Sequence, residues 1–121
     1  MAKVLLCALL EDGGRVLFLE KEFGDTVKYS LPCVLAEESD DPVKALAAAV
    51  AGQTGIDCLV GGIAFTGRFN AGSRRRRQFV GVLVFSCSAK SYSSRAKVKW
   101  ARLDEAPNLQ LARECEWLKR R

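Results

Sequence analysis

One well-bounded helix constrains the fold of this 121-residue chain more than any other feature of its sequence. Residues 39–41 carry short oxygen-bearing side chains that can accept hydrogen bonds from the free amides of a first helical turn, and Pro42 follows them. Residues 44–54 are rich in good helix formers, and Gly55 suits the left-handed turn that often ends a helix. The sequence therefore predicts a helix that starts at Pro42 and ends before Gly55.

Apolar runs typical of strands lie on both sides of this helix, separated by short polar turns. The predicted elements are, in order, a hairpin of residues 3–10 and 15–20, a loop at 21–27, a strand at 28–31, a loop at 32–41, the helix, a strand at 57–69, a loop at 70–77, a strand at 78–87, a loop at 88–95, a strand at 97–103, and a helix at 109–119. Gly61 and Gly62 predict a bulge in the first of the three later strands. The nearly continuous apolar run at 78–87 predicts a central strand with both faces buried. This order predicts a single α/β domain of the α+β type over residues 1–121.

Residues just before and after the helix keep the spacing of a known sequence motif. They are Tyr29, Leu31, Pro32, Glu37, Asp40, Gly55 and Ile56. This spacing resembles the Nudix box of the Nudix hydrolase superfamily, whose members have a MutT-like fold. The resemblance implies a Nudix-like mixed β-sheet sandwiched between helices. It also implies a ligand in which a nucleoside diphosphate is linked to another moiety, the class of molecule that Nudix hydrolases cleave.

The residues that would give this motif its chemistry are missing from the chain. Ala48 and Ala49 stand where the family has Arg-Glu, and Gly52 and Gln53 stand where it has Glu-Glu. In the family these carboxylates project from one face of a helical turn, where they can bind Mg²⁺ through hard oxygen atoms. We therefore expect no catalytic residue, no metal site and no required cofactor, and we expect hydrolysis to be absent or weak.

The alternative is that the chain is still an enzyme, either a weak diphosphate hydrolase or one whose metal ligands come from outside the helix, which we call a rerouted hydrolase. Glu20, Glu22, Glu37 and Asp40 could supply oxygen ligands for Mg²⁺ or Mn²⁺ from outside the helix. Such a site requires that these carboxylates, which come from strand and loop segments, converge in a held geometry. The sequence leaves enzymatic activity open and favours its absence.

Positive charge is concentrated in the second half of the chain, although the net charge is only +5. Arg74, Arg75, Arg76 and Arg77 form the densest cluster, at the entrance of a predicted strand. Guanidinium groups match phosphate oxygens through paired hydrogen bonds, so this cluster indicates an anionic ligand. Our hypothesis is that a nucleotide or nucleoside-diphosphate-linked ligand binds here without efficient hydrolysis. The predicted ligand-binding residues are Arg68, Arg74, Arg75, Arg76, Arg77 and Tyr29.

Three other interpretations of the same charge are open at the level of sequence. The cluster could be a solvated loop without a ligand, since blocks of like charge are usually solvated. It could also bind an RNA backbone together with other basic residues of the second half, with Tyr92 or Phe69 as a stacking surface. A protein-interaction domain, or a homodimer formed through the half-exposed strand at 97–103, is the third interpretation.

Five cysteines are scattered along the chain without a C-x-x-C pair, a pattern that indicates neither a disulfide framework nor a zinc site. Cys7, Cys58 and Cys87 lie in apolar runs and are expected to be buried thiols. Cys33 replaces a glycine of the motif beside the would-be site. The chain has no histidine to act as a base for Cys33, so we do not expect a cysteine nucleophile of the usual kind.

No apolar run of the sequence approaches the length of a membrane span. Residues 4–10 are apolar, but they give way at once to Glu11 and Asp12, which suits a strand and a turn better than a signal peptide. We therefore expect a cytoplasmic protein that does not enter a membrane.

Overall fold

The computed structural model describes residues 3–90 and 97–120 of the chain, and most of them belong to a mixed β-sheet. The elements are β1 (Lys3–Asp12), β2 (Arg15–Phe23), β3 (Thr26–Ser30), β4 (Cys33–Glu37), α1 (Pro42–Thr54), β5 (Cys58–Asn70), β6 (Phe79–Ala89), β7 (Val98–Ala101), and two 3₁₀ segments, Leu103–Asn108 and Arg113–Arg120. We refer to Arg113–Arg120 as the C-terminal 3₁₀ segment.

The strands form two layers that share β1. In one layer the order is β4-β1-β6-β5, with β1 antiparallel to β4 and parallel to β6, and β6 antiparallel to β5. In the other layer β2 lies between β3 and β7, antiparallel to both, and joins β1 through a tight hairpin. Gly13 and Gly14 form that turn with φ of 58° and 80°, a left-handed conformation that favours glycine. The mixed sheet confirms the predicted fold class.

Helical segments cover the two faces of the β1-β6 region, because each face of that region is apolar. On one face Leu46 and Val50 of α1 are fully buried in a cluster that includes Leu6 and Phe85. On the other face a second cluster contains Phe18, Val82 and Val84 together with Leu111, Cys115 and Leu118 near the C-terminus. Full burial of such side chains stabilises the fold by about 1.5–3 kcal/mol each. The sheet is therefore held between α1 and the C-terminal 3₁₀ segment.

Helix α1 begins and ends where the sequence predicts. The carboxylate of Asp41 accepts hydrogen bonds from the amides of Val43 (3.0 Å) and Lys44 (3.3 Å), and Pro42 occupies the first turn. Gly55 adopts φ of 80° and donates its amide to the carbonyl of Ala51 at 2.9 Å. No helix in the described part of the chain is long and apolar enough to cross a membrane.

Two segments predicted as loops are strands. Residues 21–27 are not a loop, since β2 continues to Phe23 and β3 starts at Thr26, with Gly24 at φ of 62° in the turn between them. Residues 33–37 form β4, which pairs with the first half of β1. The two predictions were wrong for different reasons. The polar composition of residues 21–27 hid a two-residue turn at Gly24 and Asp25, across which Phe23 pairs with Thr26. Residues 33–37 gain their strand conformation from β1, a partner that local sequence does not reveal.

The predicted helix at 109–119 is confirmed only from Arg113 onward, and there with 3₁₀ geometry. Leu111 forms a parallel bridge with Tyr29, and only Arg113–Arg120 is helical, with 3₁₀ geometry. The amide of Tyr29 donates to the carbonyl of Gln110, and the amide of Ala112 donates to the carbonyl of Tyr29, both at 2.8 Å. These sheet-type bonds use backbone groups that a helix starting at residue 109 would need for its own first turn.

The later strands are all present as predicted, but some of their first and last residues differ from the prediction. The register of β5 against β6 shifts between Val60 and Ile63, which confirms the predicted bulge around Gly61 and Gly62. Strand β6 is central, but both of its faces are covered only in the middle, since Phe79 at its start is 50% exposed. The last strand is shorter than predicted, and the predicted loop at 88–95 lies partly in β6 and partly outside the described residues.

Candidate functional site

The box positions, which we define as Ala48, Ala49, Gly52 and Gln53, lie on α1 and carry no charge. Gln53 is exposed, and its side-chain amide donates a hydrogen bond to the carbonyl of Cys33 at 2.8 Å. A glutamate at this position could not make that bond when ionised, because a carboxylate only accepts. The position that carries a carboxylate in the Nudix box therefore ties α1 to the start of β4 in this chain.

The other residues of the motif serve the local structure. Asp40 and Glu37 close the turn before α1, because the amide of Glu37 donates to the carboxylate of Asp40 and the amide of Asp40 donates to the carbonyl of Glu37, both at 3.0 Å. Leu31 is fully buried, and the carbonyl of Pro32 accepts the amide of Ala8 at 2.8 Å. The motif residues present in this chain therefore stabilise the loop before α1 and the start of the helix.

A magnesium ion does not fit the donor set at the box positions. Mg²⁺ requires several oxygen ligands in near-octahedral geometry, whereas these positions offer methyl groups, a hydrogen atom and one amide that is already bonded to Cys33. The carboxylates of the rerouted alternative are dispersed: Glu22 pairs with Lys97 at 3.0 Å on the β2-β7 layer, while Glu37 ends β4. Within residues 3–90 and 97–120, no three acidic or cysteine side chains form a group that could hold a metal ion. We therefore derive no metal-dependent step.

A second region gathers charge and aromatic surface at the loop end of the β5-β6 hairpin, where the chain connects Asn70 to Phe79. It is a cavity of about 600 Å³, which we call the basic pocket. Its lining residues are Arg68, Phe69, Asn70, Ser73, Arg74, Arg77, Phe79, Arg113, Glu116 and Trp117. The guanidinium carbon of Arg68 lies 4.9 Å from the ring centre of Phe79, and that of Arg113 lies 5.9 Å from the ring centre of Phe69. The pocket combines four cations and three aromatic rings with a single carboxylate.

The loop that carries the arginines, residues 71–78, is fixed by Asn70. The side-chain oxygen of Asn70 accepts the amides of Gly72 and Gln78, each at 3.0 Å. Arg113 of the C-terminal 3₁₀ segment donates to the carbonyl of Asn70 at 3.0 Å and also to the carbonyl of Gly72. A Cβ atom on Gly72 would collide with the carbonyl oxygen of Arg76. The loop conformation therefore depends on a glycine, an asparagine and a contact with the C-terminal 3₁₀ segment.

The structure divides the predicted ligand-binding residues into two groups. Arg68, Arg74 and Arg77 line the basic pocket, whereas Arg75 and Arg76 belong to the same loop without lining it. Tyr29 is elsewhere, on β3, where its ring packs against the core and lies 5.9 Å from the ammonium group of Lys99.

Sequence reasoning missed Asn70, Ser73 and Phe79, which adjoin the predicted arginines in the hairpin. It also missed three more distant residues of the pocket, Arg113, Glu116 and Trp117. They belong to the C-terminal 3₁₀ segment, which approaches the hairpin only in the folded chain. A basic residue beside an aromatic near the C-terminus is a local signal, but it does not indicate which loop these side chains meet.

Comparisons with known proteins identify the fold. No protein-family model matches the sequence, and no curated protein matches it. Among solved structures, a Nudix hydrolase from Nitrosomonas europaea matches with a TM-score of 0.76 and 17% identity over 99% of this chain and 85% of that one. The MutT protein from Methanosarcina mazei matches with a TM-score of 0.69 and 17% identity over 97% and 90% of the two chains.

A third similar structure is an ADP-ribose pyrophosphatase from Streptococcus suis, with a TM-score of 0.70 and 13% identity over 98% of this chain and 86% of that one. At such low identity the matches show the fold and not the activity. This chain has the fold of the Nudix hydrolases.

Proposed function

We propose that this protein binds a nucleotide or a nucleoside-diphosphate-linked ligand in the basic pocket and does not hydrolyse it efficiently. The observation that carries the proposal is the composition of the pocket, in which Arg68, Arg74, Arg77 and Arg113 surround a volume of about 600 Å³. That volume falls within the range of about 300–1,000 Å³ typical of small-molecule sites.

The chemistry of the lining residues suits both parts of such a ligand. Guanidinium groups form paired, charge-assisted hydrogen bonds with phosphate oxygens, so Arg74 and Arg77 can hold a diphosphate. Aromatic rings such as that of Trp117 offer a surface on which a base can stack. The carboxylate of Glu116 can accept hydrogen bonds from ribose hydroxyl groups.

The absence of carboxylates at the box positions supports binding without efficient hydrolysis. Cleavage of a diphosphate requires an activated water and neutralisation of the developing charge, and in metal-dependent enzymes the metal supplies both. Arginines can supply the neutralisation but cannot activate water, since the guanidinium group does not lose its proton in proteins. The ADP-ribose pyrophosphatase among the similar structures makes ADP-ribose a reasonable first ligand to test.

Calorimetric titration of two matched double variants with ADP-ribose tests the proposal. Arg74→Ala/Arg77→Ala removes two lining arginines, and Arg75→Ala/Arg76→Ala removes the same charge from the same loop outside the pocket. Charge-assisted hydrogen bonds contribute about 1.5–3 kcal/mol each, so we expect the first variant to raise Kd at least about tenfold. We expect the second variant to raise Kd less than about threefold, because exposed charges act weakly at a distance.

Equal weakening in both double variants would contradict the proposal, because it would indicate attraction by net charge alone, as expected for a nucleic-acid backbone. Failure of ADP-ribose, ADP and other nucleoside diphosphates to bind at millimolar concentration would also contradict it. Release of phosphate or a nucleoside monophosphate in the presence of Mg²⁺ or Mn²⁺, lost in Glu22→Gln or Glu37→Gln, would favour the rerouted hydrolase instead.

A further inference from the structure

Three cysteines from distant parts of the sequence meet where β4 begins. Cys7 comes from β1, Cys33 from β4 and Cys115 from the C-terminal 3₁₀ segment. Cys7 and Cys115 are fully buried, whereas Cys33 is partly exposed. The Sγ atom of Cys115 accepts the amide of Leu31 at 3.3 Å, which fixes it at this position. The cluster lies outside the basic pocket and has no part in the proposed binding function.

The strand register places Cys7 and Cys33 directly opposite each other. Because the amide of Ala8 donates to the carbonyl of Pro32, residues 8 and 32 are a hydrogen-bonded pair, and Cys7 and Cys33 are the adjacent non-hydrogen-bonded pair. In such a pair the Cα atoms are about 4.5 Å apart and the side chains share one face of the sheet. That separation falls within the range of about 4.4–6.8 Å found in disulfides. A disulfide can therefore form here without movement of the backbone.

The groups around Cys33 favour its thiolate. Hydrogen bonds from the thiols of Cys115 and Cys7 hold the pKa of Cys33 well below its usual value. Partial burial and the carboxylate of Glu114 act in the opposite direction, and the ammonium group of Lys21 lowers the pKa further. The hydrogen bond to Cys33 and burial both raise the pKa of Cys7, so its thiol stays protonated. The cluster thus pairs one accessible thiolate with one buried thiol.

We propose that Cys33 is a peroxide-reactive thiol that closes a cross-strand disulfide with Cys7. The Cys33 thiolate attacks a hydroperoxide, so that an S–O bond forms, the O–O bond breaks and the leaving alkoxide or hydroxide takes up a proton. Oxidation of Cys33 removes the anion that is the largest cause of the raised pKa of Cys7, so the Cys7 thiol can give up its proton. The sulfur of Cys7 then attacks the sulfenic acid on Cys33, the S–S bond forms, the S–O bond breaks, and the proton from Cys7 leaves with the hydroxyl group as water. Two thiols are oxidised and one peroxide is reduced.

Peptide mapping of the whole protein after treatment with hydrogen peroxide tests this proposal without any substitution. Trypsin separates all five cysteines, because they fall within residues 4–15, 29–44, 45–68, 78–90 and 114–119. We expect one linked pair, between the peptide with Cys7 and the peptide with Cys33, two hydrogen atoms lighter than the separate peptides. A link between Cys33 and Cys115 would overturn the assignment of the partner, and no link at Cys33 would overturn the proposal.

The second pair of neighbouring cysteines, Cys58 and Cys87, provides a matched control. Burial raises the pKa of both thiols, to about 12 for Cys87, so neither should react readily. Cys58→Ala should leave the peroxide-induced disulfide unchanged, whereas Cys33→Ser should abolish it. Cys7→Ala should leave a sulfenic acid on Cys33 that dimedone can trap, and failure to trap it would count against a reactive Cys33.

The pH profile of alkylation separates a reactive thiolate from a merely exposed thiol. The rate at which iodoacetamide alkylates Cys33 should change less than about twofold between pH 6 and pH 8, because the thiol of Cys33 is already ionised at pH 6. An ordinary thiol with a pKa of about 8.5 would react about 80-fold faster at pH 8 than at pH 6. A steep rise for Cys33 would overturn the thiolate assignment.

Discussion

Helix α1 and the loop end of the β5-β6 hairpin differ in the residues they carry: α1 carries residues that stabilise the fold, and the loop end carries basic residues that line a pocket. Helix α1 keeps its cap at Asp41, its terminal Gly55 and its buried Leu46, yet its box positions hold no charged group. The cavity at the loop end is lined by none of the motif residues but by four arginines and three aromatic rings, of which Arg113 and Trp117 come from the C-terminal 3₁₀ segment. The residues that determine the fold and the residues that can bind an anion therefore lie on separate elements.

Because of this separation, the fold does not depend on which residues occupy the box positions. The structural residues of α1 contribute to stability through burial and capping, which depend only on the inward face and the two ends of the helix. The box positions face outward, so changes there are constrained only by contacts such as that between Gln53 and Cys33. A variant of α1 should thus alter stability and a variant of the hairpin end should alter binding.

The largest expected effect is the loss of stability from Leu46→Ala. Leu46 is fully buried between α1 and the sheet, and truncation of such a side chain costs about 2–5 kcal/mol because it leaves a cavity. Urea denaturation measures the change, and Val43→Ala, at a position on α1 that is 44% exposed, should cost less than about 1 kcal/mol. The Kd of the folded Leu46→Ala protein for ADP-ribose should not change. A large rise in that Kd would show that α1 also affects binding at the basic pocket.

Gly72→Ala should have the reverse effect, with weaker binding and little loss of global stability. A Cβ atom at Gly72 collides with the carbonyl of Arg76, so the loop must leave the conformation that presents Arg74 and Arg77. Displacing two arginines should raise Kd about tenfold, or about 1.4 kcal/mol. Gly62→Ala is the control, since a Cβ atom there meets no atom within 4 Å. Equal effects of the two substitutions would show that the loop conformation is not required.

The parts of the fold that sequence predicts well are those fixed by neighbouring residues. Asp41, Pro42 and Gly55 act within a few residues of the helix they bound, so α1 was predicted to the residue. Strand β4 was missed because its conformation depends on pairing with β1, about thirty residues earlier in the chain. The start of the C-terminal helix was predicted wrongly because Tyr29 competes for the backbone groups of residues 110 and 112.

For the candidate site, too, sequence predicts only what neighbouring residues determine. Arg74 and Arg77 stand out in the sequence because they are adjacent to other arginines, but nothing local distinguishes them from Arg75 and Arg76. Arg113 could not be assigned to the site because its contact with the carbonyls of Asn70 and Gly72 exists only after folding. Sequence therefore predicted the loop, and the structure was needed to select its lining residues.

Gln53→Glu places the glutamate of the Nudix box at one of the box positions of α1, and so tests whether that position can bind a metal ion. The substitution removes the hydrogen bond that Gln53 donates to the carbonyl of Cys33, so we expect a loss of about 0.5–1.5 kcal/mol of stability. It should not create Mg²⁺ binding, because one carboxylate on an exposed turn does not supply the several ligands that Mg²⁺ requires. Calorimetry with Mg²⁺ and urea denaturation measure the two quantities. Tight Mg²⁺ binding by this single variant would show that other ligands are already in place.

The smallest effect concerns the ion pair that attaches the pocket side of the molecule to β2. The ammonium group of Lys21 lies 2.5 Å from the carboxylate of Glu114, next to Arg113 of the pocket. Partial burial raises the pKa of Glu114, but the hydrogen bond and charge of Lys21 outweigh it and hold that pKa below its usual 4.5.

Because the folded pKa of Glu114 is depressed, its contribution is present above pH 4.5 and is lost as pH falls through the lower folded value. We expect a contribution below about 1 kcal/mol, since both side chains are partly exposed to solvent. Urea midpoints between pH 3 and pH 7 should fall less steeply toward acid in Glu114→Gln than in the unchanged protein. Identical pH profiles would show that the C-terminal 3₁₀ segment is held by its apolar contacts alone.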